Sequence, residues 1–355
     1  MKVLRLLPIL VIGLALTFSI AANGQQEVES QKNMRYAHVG VEGAPQTRFA
    51  KEFAQLVEER TDGRITFTIF PNSQIGNVSE MIEGVRGGSI AIAHHDFASL
   101  SGIVPELSVF SAPYVFRDPE HAVKASNPST SPVLRKLNQE LIEKGGVRII
   151  GSFYRGARQL TTTDFPVYTP SDVKGKKIRG VPNKIWMTML EGMGAIPTPV
   201  EFPELATALM TGLVVGQENP LTNIKAAKLY EVQDYIMLTG HMQSVLCAFV
   251  NEEEWQSISE EDQKIIEEAA YEMSERSLGW AREADKTIIM ELKDKGITII
   301  GAEDGLDKNA FRNAVLKNVN NEENIVMKEV SVNKNNYIIG VGNFKSLDWH
   351  ITSTV

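Results

Sequence analysis

The 355-residue sequence contains a single cysteine, Cys247. An intrachain disulfide is therefore excluded, and because Cys247 lies far from the N-terminus, no lipidated cysteine holds the mature chain end to a membrane. Beyond the N-terminal segment, no apolar stretch approaches the roughly 20 residues that a bilayer span requires. Gly/Ser-rich and Pro-rich linkers are missing, as are low-complexity tracts, so any two domains must be closely joined, by crossing strands rather than by a tether. There is no Gly-x-Ser-x-Gly elbow, phosphate loop or dinucleotide glycine fingerprint, so the common nucleophilic and nucleotide-binding signatures have nothing to rest on. Positive charge is in deficit, with 36 Lys and Arg against 44 Asp and Glu for a net charge of -8, which argues against nucleic acid as a partner.

The 6 histidines fit no zinc signature. His94-His95-Asp96 is the densest group, but neighbours on a strand point to opposite faces, so His94 and His95 do not readily share a metal; His38, His121 and His241 are scattered. No metal, cofactor or catalytic residue is expected. Cys247 has His241 nearby but lies in the apolar run Val245-Leu246-Cys247-Ala248-Phe249, which reads as a buried strand.

Lys2 and Arg5 precede an apolar run from Leu6 to Ile20 and then the small, polar stretch Ala21-Ala22-Asn23-Gly24. The run is about 15 residues, short for a retained anchor, and reads as a signal peptide over residues 1–24, cleaved near residues 21–24, with the periplasm as destination. The chain beyond it, in a sequence 43% hydrophobic, is long enough for the cores of two domains.

Along the mature chain, Met34 to Val41 reads as a strand, and Pro45 to Arg60 as a helix with apolar spacing at Phe49, Phe53, Leu56 and Val57. Thr61-Asp62-Gly63 breaks to Arg64–Phe70, where Ile65, Phe67 and Ile69 alternate with polar neighbours. A helix from Val78 to Arg86 passes through Gly87-Gly88 into an expected strand Ile90–Ala93. The same step recurs where Phe202 to Thr211 passes through Gly212 into an expected strand Leu213–Val215, which suggests two similar lobes. The segment Ser259 to Lys295 opens with the capping sequence Ser259-Glu260-Glu261-Asp262 and closes at Gly296, predicting one long helix, with two shorter helices broken near Gly279 as the alternative.

Two arginines, Arg158 in Gly156-Ala157-Arg158-Gln159 and Arg179 in Lys176-Lys177-Ile178-Arg179, have no acid beside them in sequence. A planar guanidinium suits a carboxylate bidentately; the alternative is a structural arginine paired with a distant acid. Arg179 falls at the end of an apparent strand before Pro182, and open α/β sheets bind ligands at the carboxyl ends of their strands. A helix opening after Pro182 would add amide donors and a partial positive charge.

Several segments in order carry a family resemblance: Thr61-Asp-Gly-Arg-Ile65, Phe70-Pro-Asn-Ser-Gln-Ile-Gly76, Val104-Pro-Glu-Leu107 and Ala112-Pro-Tyr-Val-Phe-Arg117. Then come Gly156-Ala-Arg-Gln-Leu-Thr-Thr162, Asp172-Val-Lys-Gly-Lys-Lys-Ile-Arg179, Gly194-Ala-Ile-Pro-Thr-Pro199, Ala208-Leu-Met-Thr-Gly212 and Gly216-Gln-Glu-Asn-Pro220. With these the chain resembles the solute-binding proteins of tripartite ATP-independent periplasmic (TRAP) transporters, the DctP family. The resemblance implies an α/β, two-lobed, periplasmic-binding-protein-like (type II) fold with crossing strands and a long bracing helix. It implies lobe I over residues 31–155, completed by 244–284, and lobe II over 156–243, completed by 285–320. It also implies a receptor without enzymatic activity that closes over a small organic acid and delivers it, as a monomer, to DctQ/DctM-type membrane subunits.

For the site, the resemblance implies Arg179 as principal carboxylate partner, Arg158 as a second cationic contact and Asn219 as an aid at the carboxylate end. It further implies Phe202 as an aromatic flank and Asp96 as an acid facing the ligand's polar groups. The alternatives are a turn role for Asn219, a core role for Phe202 and a turn cap for Asp96; Trp186 either lines the pocket or packs in the core. A different class, an exported α/β hydrolase or lyase acting on a carboxylate, would use the arginines to orient substrate for Asp96 or Glu218. Two departures from the family pattern stand out. Val215 replaces its usual aspartate, so the following loop either binds less tightly or is held by packing. Residues 321–355 form an atypical, Asn-rich tail with a short apolar run Tyr337–Val341.

Overall fold

The computed structural model describes residues 31–319 and two short antiparallel strands at Ser331–Val332 and Ile338–Gly340. The expected signal peptide and most of the expected tail lie outside the described residues.

The first βαβ unit follows from local sequence. β1 (Lys32–Ala37) and β2 (Ile65–Phe70) run parallel from Lys32 opposite Ile65 to Ala37 opposite Phe70. Between them α1 (Pro45–Arg60) opens on a proline, tolerated where no intrahelical amide partner exists, and buries Phe49, Phe53 and Val57. α2 (Val78–Arg86) begins with a capping box between Asn77 and Glu80 and leads to β3 (Ile92–Asp96). α3 (Pro119–Ala125) and α4 (Pro132–Gly145) complete this side before β4 (Val147–Thr162).

The second set comprises β5 (Lys177–Gly180), α5 (Lys184–Gly192), β6 (Ile196–Pro199), α6 (Leu205–Met210), β7 (Gly216–Pro220) and α7 (Leu221–Ala226). β8 (Tyr235–Asn251), α8 (Glu252–Gln256), α9 (Glu260–Asp294), β9 (Thr298–Ile300) and α10 (Lys308–Val319) follow. These nine strands form one sheet in the order β2-β1-β3-β8-β4-β7-β5-β6, with β9 beside β8.

β4 and β8 pair antiparallel from Val147 opposite Asn251 to Thr162 opposite Tyr235, and each belongs to both halves of the molecule. One end of β8 (Leu246–Val250) pairs with β3, while its other end (Tyr235–Met237) pairs with β9. β4 reaches β7 only at its far end, Arg158–Thr162. The two lobes of this α/β fold therefore share two crossing strands.

α9 spans 35 residues without interruption, about 50 Å at a rise of about 1.5 Å per residue. Its Ser259 cap accepts from the Asp262 amide, and the helix runs through Gly279 because Met273, Ser277, Leu278 and Ala281 on either side are buried. Gly151 of β4 permits the close approach: a side-chain carbon there would stand 2.7 Å from Ala270 Cβ of α9. No described helix is long and apolar enough to cross a membrane.

Three strands differ from their sequence expectation. β1 stops at Ala37 instead of reaching Val41, because the chain turns where the Gly40 amide donates to His38 Nδ1. β3 begins at Ile92 and not Ile90, since the Ile90 amide closes the end of α2 on the Gly84 carbonyl. β7 starts at Gly216 rather than Leu213, which is 50% exposed. The true strand is polar, Gln217-Glu218-Asn219, and yet fully buried, so apolar patterning points past it.

Candidate functional site

β5 carries Arg179 to the carboxyl edge of the sheet, where it is 2% exposed. Its Nε donates to the Val200 carbonyl at 2.8 Å, which fixes the plane of the guanidinium. Among the described residues no carboxylate forms a salt bridge with it within 4.0 Å. Burial holds its pKa down at about 10, opposed chiefly by the field of Glu218, so the group is a buried cation at neutral pH.

Arg158, on β4, is fully buried with Glu218 of β7. Its Nε donates to Glu218 Oε2, and its Nη2 donates to Glu218 Oε1 at 2.7 Å, to the Glu218 carbonyl at 2.8 Å and to Asn219 Oδ1 at 3.3 Å. Nη1 of Arg158 is buried with no hydrogen-bond partner among the described residues. Burial would lower the arginine's pKa, but the Glu218 carboxylate outweighs it and the net shift is upward. Burial likewise pushes the Glu218 carboxyl up, and Arg158 and His241 reverse this, leaving it at about 2. Glu218 also accepts from Trp186 Nε1 at 3.0 Å and lies 3.0 Å from His241 Nε2, whose other ring nitrogen meets Thr239 Oγ1 at 2.8 Å.

Asp96 ends β3, 3% exposed, and caps no helix amide. Its Oδ1 accepts from Arg155 Nη2 at 3.3 Å, and its Oδ2 lies 3.6 Å from His95 Nδ1. Arg155 Nε donates to Ser244 Oγ at 2.8 Å, and burial lowers the pKa of Arg155 to about 10. His95 is pushed down to about 4, first by burial, so its ring is neutral at pH 7. Asn219 sits in β7 with Nδ2 donating to Gln217 Oε1 at 2.6 Å. Phe202, part-exposed, opens the turn after β6.

The structure brings all five sequence-predicted residues, Arg179, Arg158, Asn219, Phe202 and Asp96, to the wall of one cleft. Sequence reasoning missed Arg155, which lines the same cleft together with His95, Gln46 and Glu201. Arg155 and Arg158 are three residues apart, which on a regular strand puts them on opposite faces. A bulge between Tyr154 and Ala157, with Gly156 at φ 111°, turns both guanidinium groups to the cleft. The glycine between two arginines was the available signal.

The remaining sequence readings resolve individually. Trp186 is fully buried and supports Glu218 from the core instead of lining the cleft. At the start of α5 the Ile185 amide is already taken by Asn183 Oδ1 at 3.0 Å, so that donor serves the cap. Val215 packs on the core, and its backbone bonds to Lys177 and Thr163, which holds the run into β7 without an aspartate. Cys247 lies buried in β8, and burial drives its thiol pKa up. No group of three or more His, Cys, Asp or Glu among the described residues is placed to hold a metal.

A larger pocket, also lined by Arg155, lies between α1, α7 and α9, where Arg48 stacks on Trp280 at 4.1 Å. Arg48, Arg155 and Lys225 border it, whereas Arg158 and Arg179 do not.

Residues 36–324 match the family model described as bacterial extracellular solute-binding protein, family 7. The chain is 31% identical over 284 residues to the 2,3-diketo-L-gulonate-binding periplasmic protein YiaO of Escherichia coli, covering 80% of this chain and 84% of that one. It is similar to a TRAP periplasmic solute-binding protein from Roseobacter denitrificans solved with bound L-galactonate, with a TM-score of 0.75 at 30% identity over 83% of this chain and 96% of that one. A TRAP periplasmic solute-binding protein from Polaromonas with D-erythronate gives a TM-score of 0.75 at 30% identity, covering 81% and 92%.

Proposed function

The chain belongs to bacterial extracellular solute-binding protein family 7, whose members are substrate-binding receptors of TRAP transporters and not enzymes, and from that premise we propose that it captures a small organic acid in the periplasm and delivers it to TRAP-type membrane subunits. The N-terminal signal peptide read from the sequence would direct it there.

One observation carries this reading: Arg179 is a buried cation that forms no salt bridge with a carboxylate among the described residues. An unpaired charge in a desolvated site is costly, and a ligand carboxylate relieves that cost while gaining a charge-assisted, fork-shaped pair. Arg158 Nη1, buried without a partner, supplies a second donor to the same anion, and Asn219 completes that end. Phe202 flanks the bound molecule. The cleft walls come from both lobes, taken as 31–155 with 244–284 and 156–243 with 285–320, so ligand contacts favour the closed population. Asn183 Nδ2 on the Ala98 carbonyl at 2.7 Å, and Asn223 Nδ2 on Gln46 Oε1 at 3.3 Å, already link the two sides.

A thermal-shift panel of C3 to C9 organic acids with uncharged analogues, run on the chain from about Gln25 and on Arg179→Ala, tests the proposal. Acid at about 100 times its Kd should add roughly 2.7 kcal/mol to the wild type and nothing to the variant. Equal shifts by the uncharged analogues, or no shift by any acid, would refute it.

A further inference from the structure

We infer that the larger pocket between α1, α7 and α9 is a second binding site, separate from the cleft, and that it takes a small aromatic acid, a single ring bearing one carboxylate. The inference does not depend on what the cleft binds, because Arg158 and Arg179 are no part of this wall.

The pocket has the size and make-up of a small-molecule site. Its volume of about 330 Å³ falls at the lower end of the roughly 300–1,000 Å³ such sites occupy. The floor is buried, with Arg155 of β4 at 5% and Thr222 of α7 at 9% exposure, and the Thr222 hydroxyl donates to the Arg155 carbonyl at 3.0 Å. α9 supplies the apolar wall through Trp280, Ala284 and Ile288, which recur every four residues and so lie along one face of the helix. The small side chain of Ala284, in the middle of that face, leaves the depth a ring needs.

The charged groups on the wall are of one sign. Arg48, Arg155 and Lys225 border the pocket, and among the described residues no carboxylate does. The acids nearby face elsewhere: Glu52 accepts from Arg48 Nε at 2.7 Å, Glu291 pairs with the exposed Lys225, and Asp96 holds Arg155 Nη2 at 3.3 Å from the cleft side. Asp285 turns to Gly156, where a side-chain carbon would lie 3.7 Å from its Oδ1. Donors are left over, since neither Nη of Arg48 nor Nη1 of Arg155 makes a hydrogen bond among the described residues. A carboxylate meets these donors, whereas an ammonium would meet like charges. The ring follows from Arg48, whose exposed guanidinium lies over Trp280 at 4.1 Å and keeps its second face open for another aromatic group.

Calorimetric titration at pH 7.5 with phenylacetate, phenylacetamide, phenethylamine and cyclohexylacetate tests the site, run on the chain from about Gln25 and on Arg179→Ala, in which the cleft has lost its principal cation. Phenylacetate should bind both proteins, and about tenfold or more tightly than each of the other three probes. Ala284→Phe, which puts a ring into the pocket, should abolish that binding in the Arg179→Ala background. Arg48→Gln, at an exposed position, should weaken it about fivefold or more with the thermal midpoint unchanged, which separates a lost contact from a lost fold. Absence of phenylacetate binding would overturn the inference, as would binding that Arg179→Ala abolishes or that Ala284→Phe and Arg48→Gln leave unchanged; none of these outcomes touches the receptor reading. Equal binding of the amide or the amine would overturn the anionic class, and equal binding of cyclohexylacetate the aromatic one.

Discussion

Arg158 and Glu218 sit on adjacent strands two positions out of direct register, Arg158 opposite Pro220 and Leu160 opposite Glu218, and the guanidinium grips both carboxylate oxygens in full burial. The diagonal reach is what a long arginine side chain spans across an antiparallel pair. This pair fixes Arg158 with one amino group, Nη1, still unpartnered.

Removing the acid should therefore be far worse than removing a surface charge. Glu218→Ala leaves Arg158 buried and uncompensated, strips Trp186 Nε1 of its acceptor, and is expected to cost about 3–5 kcal/mol in urea denaturation. A loss below about 1 kcal/mol would mean that solvent reaches Arg158.

Arg179 should behave in the opposite way. It makes one hydrogen bond to the protein, through Nε, and has no acid partner among the described residues, so Arg179→Lys should leave the unliganded midpoint nearly unchanged. Ligand affinity, measured calorimetrically, should fall about tenfold or more, because an ammonium keeps the charge but not the fork. A variant whose unliganded midpoint falls sharply while its ligand affinity is unchanged would reverse the assignment.

Acid should weaken the fold through its histidines before its carboxylates. His38 and His95 are held at about 4 by burial, and His94, stacked on His38 at 4.7 Å, is lowered as well. An unfolded histidine takes up its proton near pH 6.5, so these groups' contribution is full above that pH and is lost as pH falls towards about 4. His38 and His95 should each contribute on the order of 3 kcal/mol by this count. Denaturant midpoints at pH 7.5, 5.5 and 4.5 should decline in that order, and a flat profile would contradict neutral buried rings.

Asp285, on α9, has the reverse sign. Burial raises its carboxyl to about 6, above the unfolded value, so it destabilises the native state increasingly as pH rises through that range. Asp285→Asn should stabilise the protein by about 1–2 kcal/mol at pH 7.5, discounted for partial exposure, and lose that advantage below about pH 4. The difference between variant and wild type at the two pH values is the measurement.

The parts of this molecule that were legible in sequence are those set by neighbours along the chain. Alternation from Ile65 to Ile69 gave a strand, Ser259 followed by three acids gave the start of α9, and the ordered motifs around Arg158, Arg179 and Asn219 gave the residues that converge. What stayed hidden depends on distant pairing. Glu218 was weighed only as the acid of an alternative enzyme, because its role as the partner of Arg158 arises from β4 lying beside β7. Arg155 is absent from the sequence reading, and it reaches the cleft beside Arg158 because the bulge at Gly156 breaks the alternation of β4. β7 escaped because a buried strand of Gln, Glu and Asn owes its burial to mutual hydrogen bonds and not to apolar side chains.

The shared strands β4 and β8 also limit how such a receptor can be divided. Each lobe borrows its central strand from a chain segment that continues into the other, so a gene fragment encoding one lobe would leave two cut strand ends with unpaired backbone groups and a bare apolar sheet face. Half-molecules of this architecture are consequently not interchangeable modules.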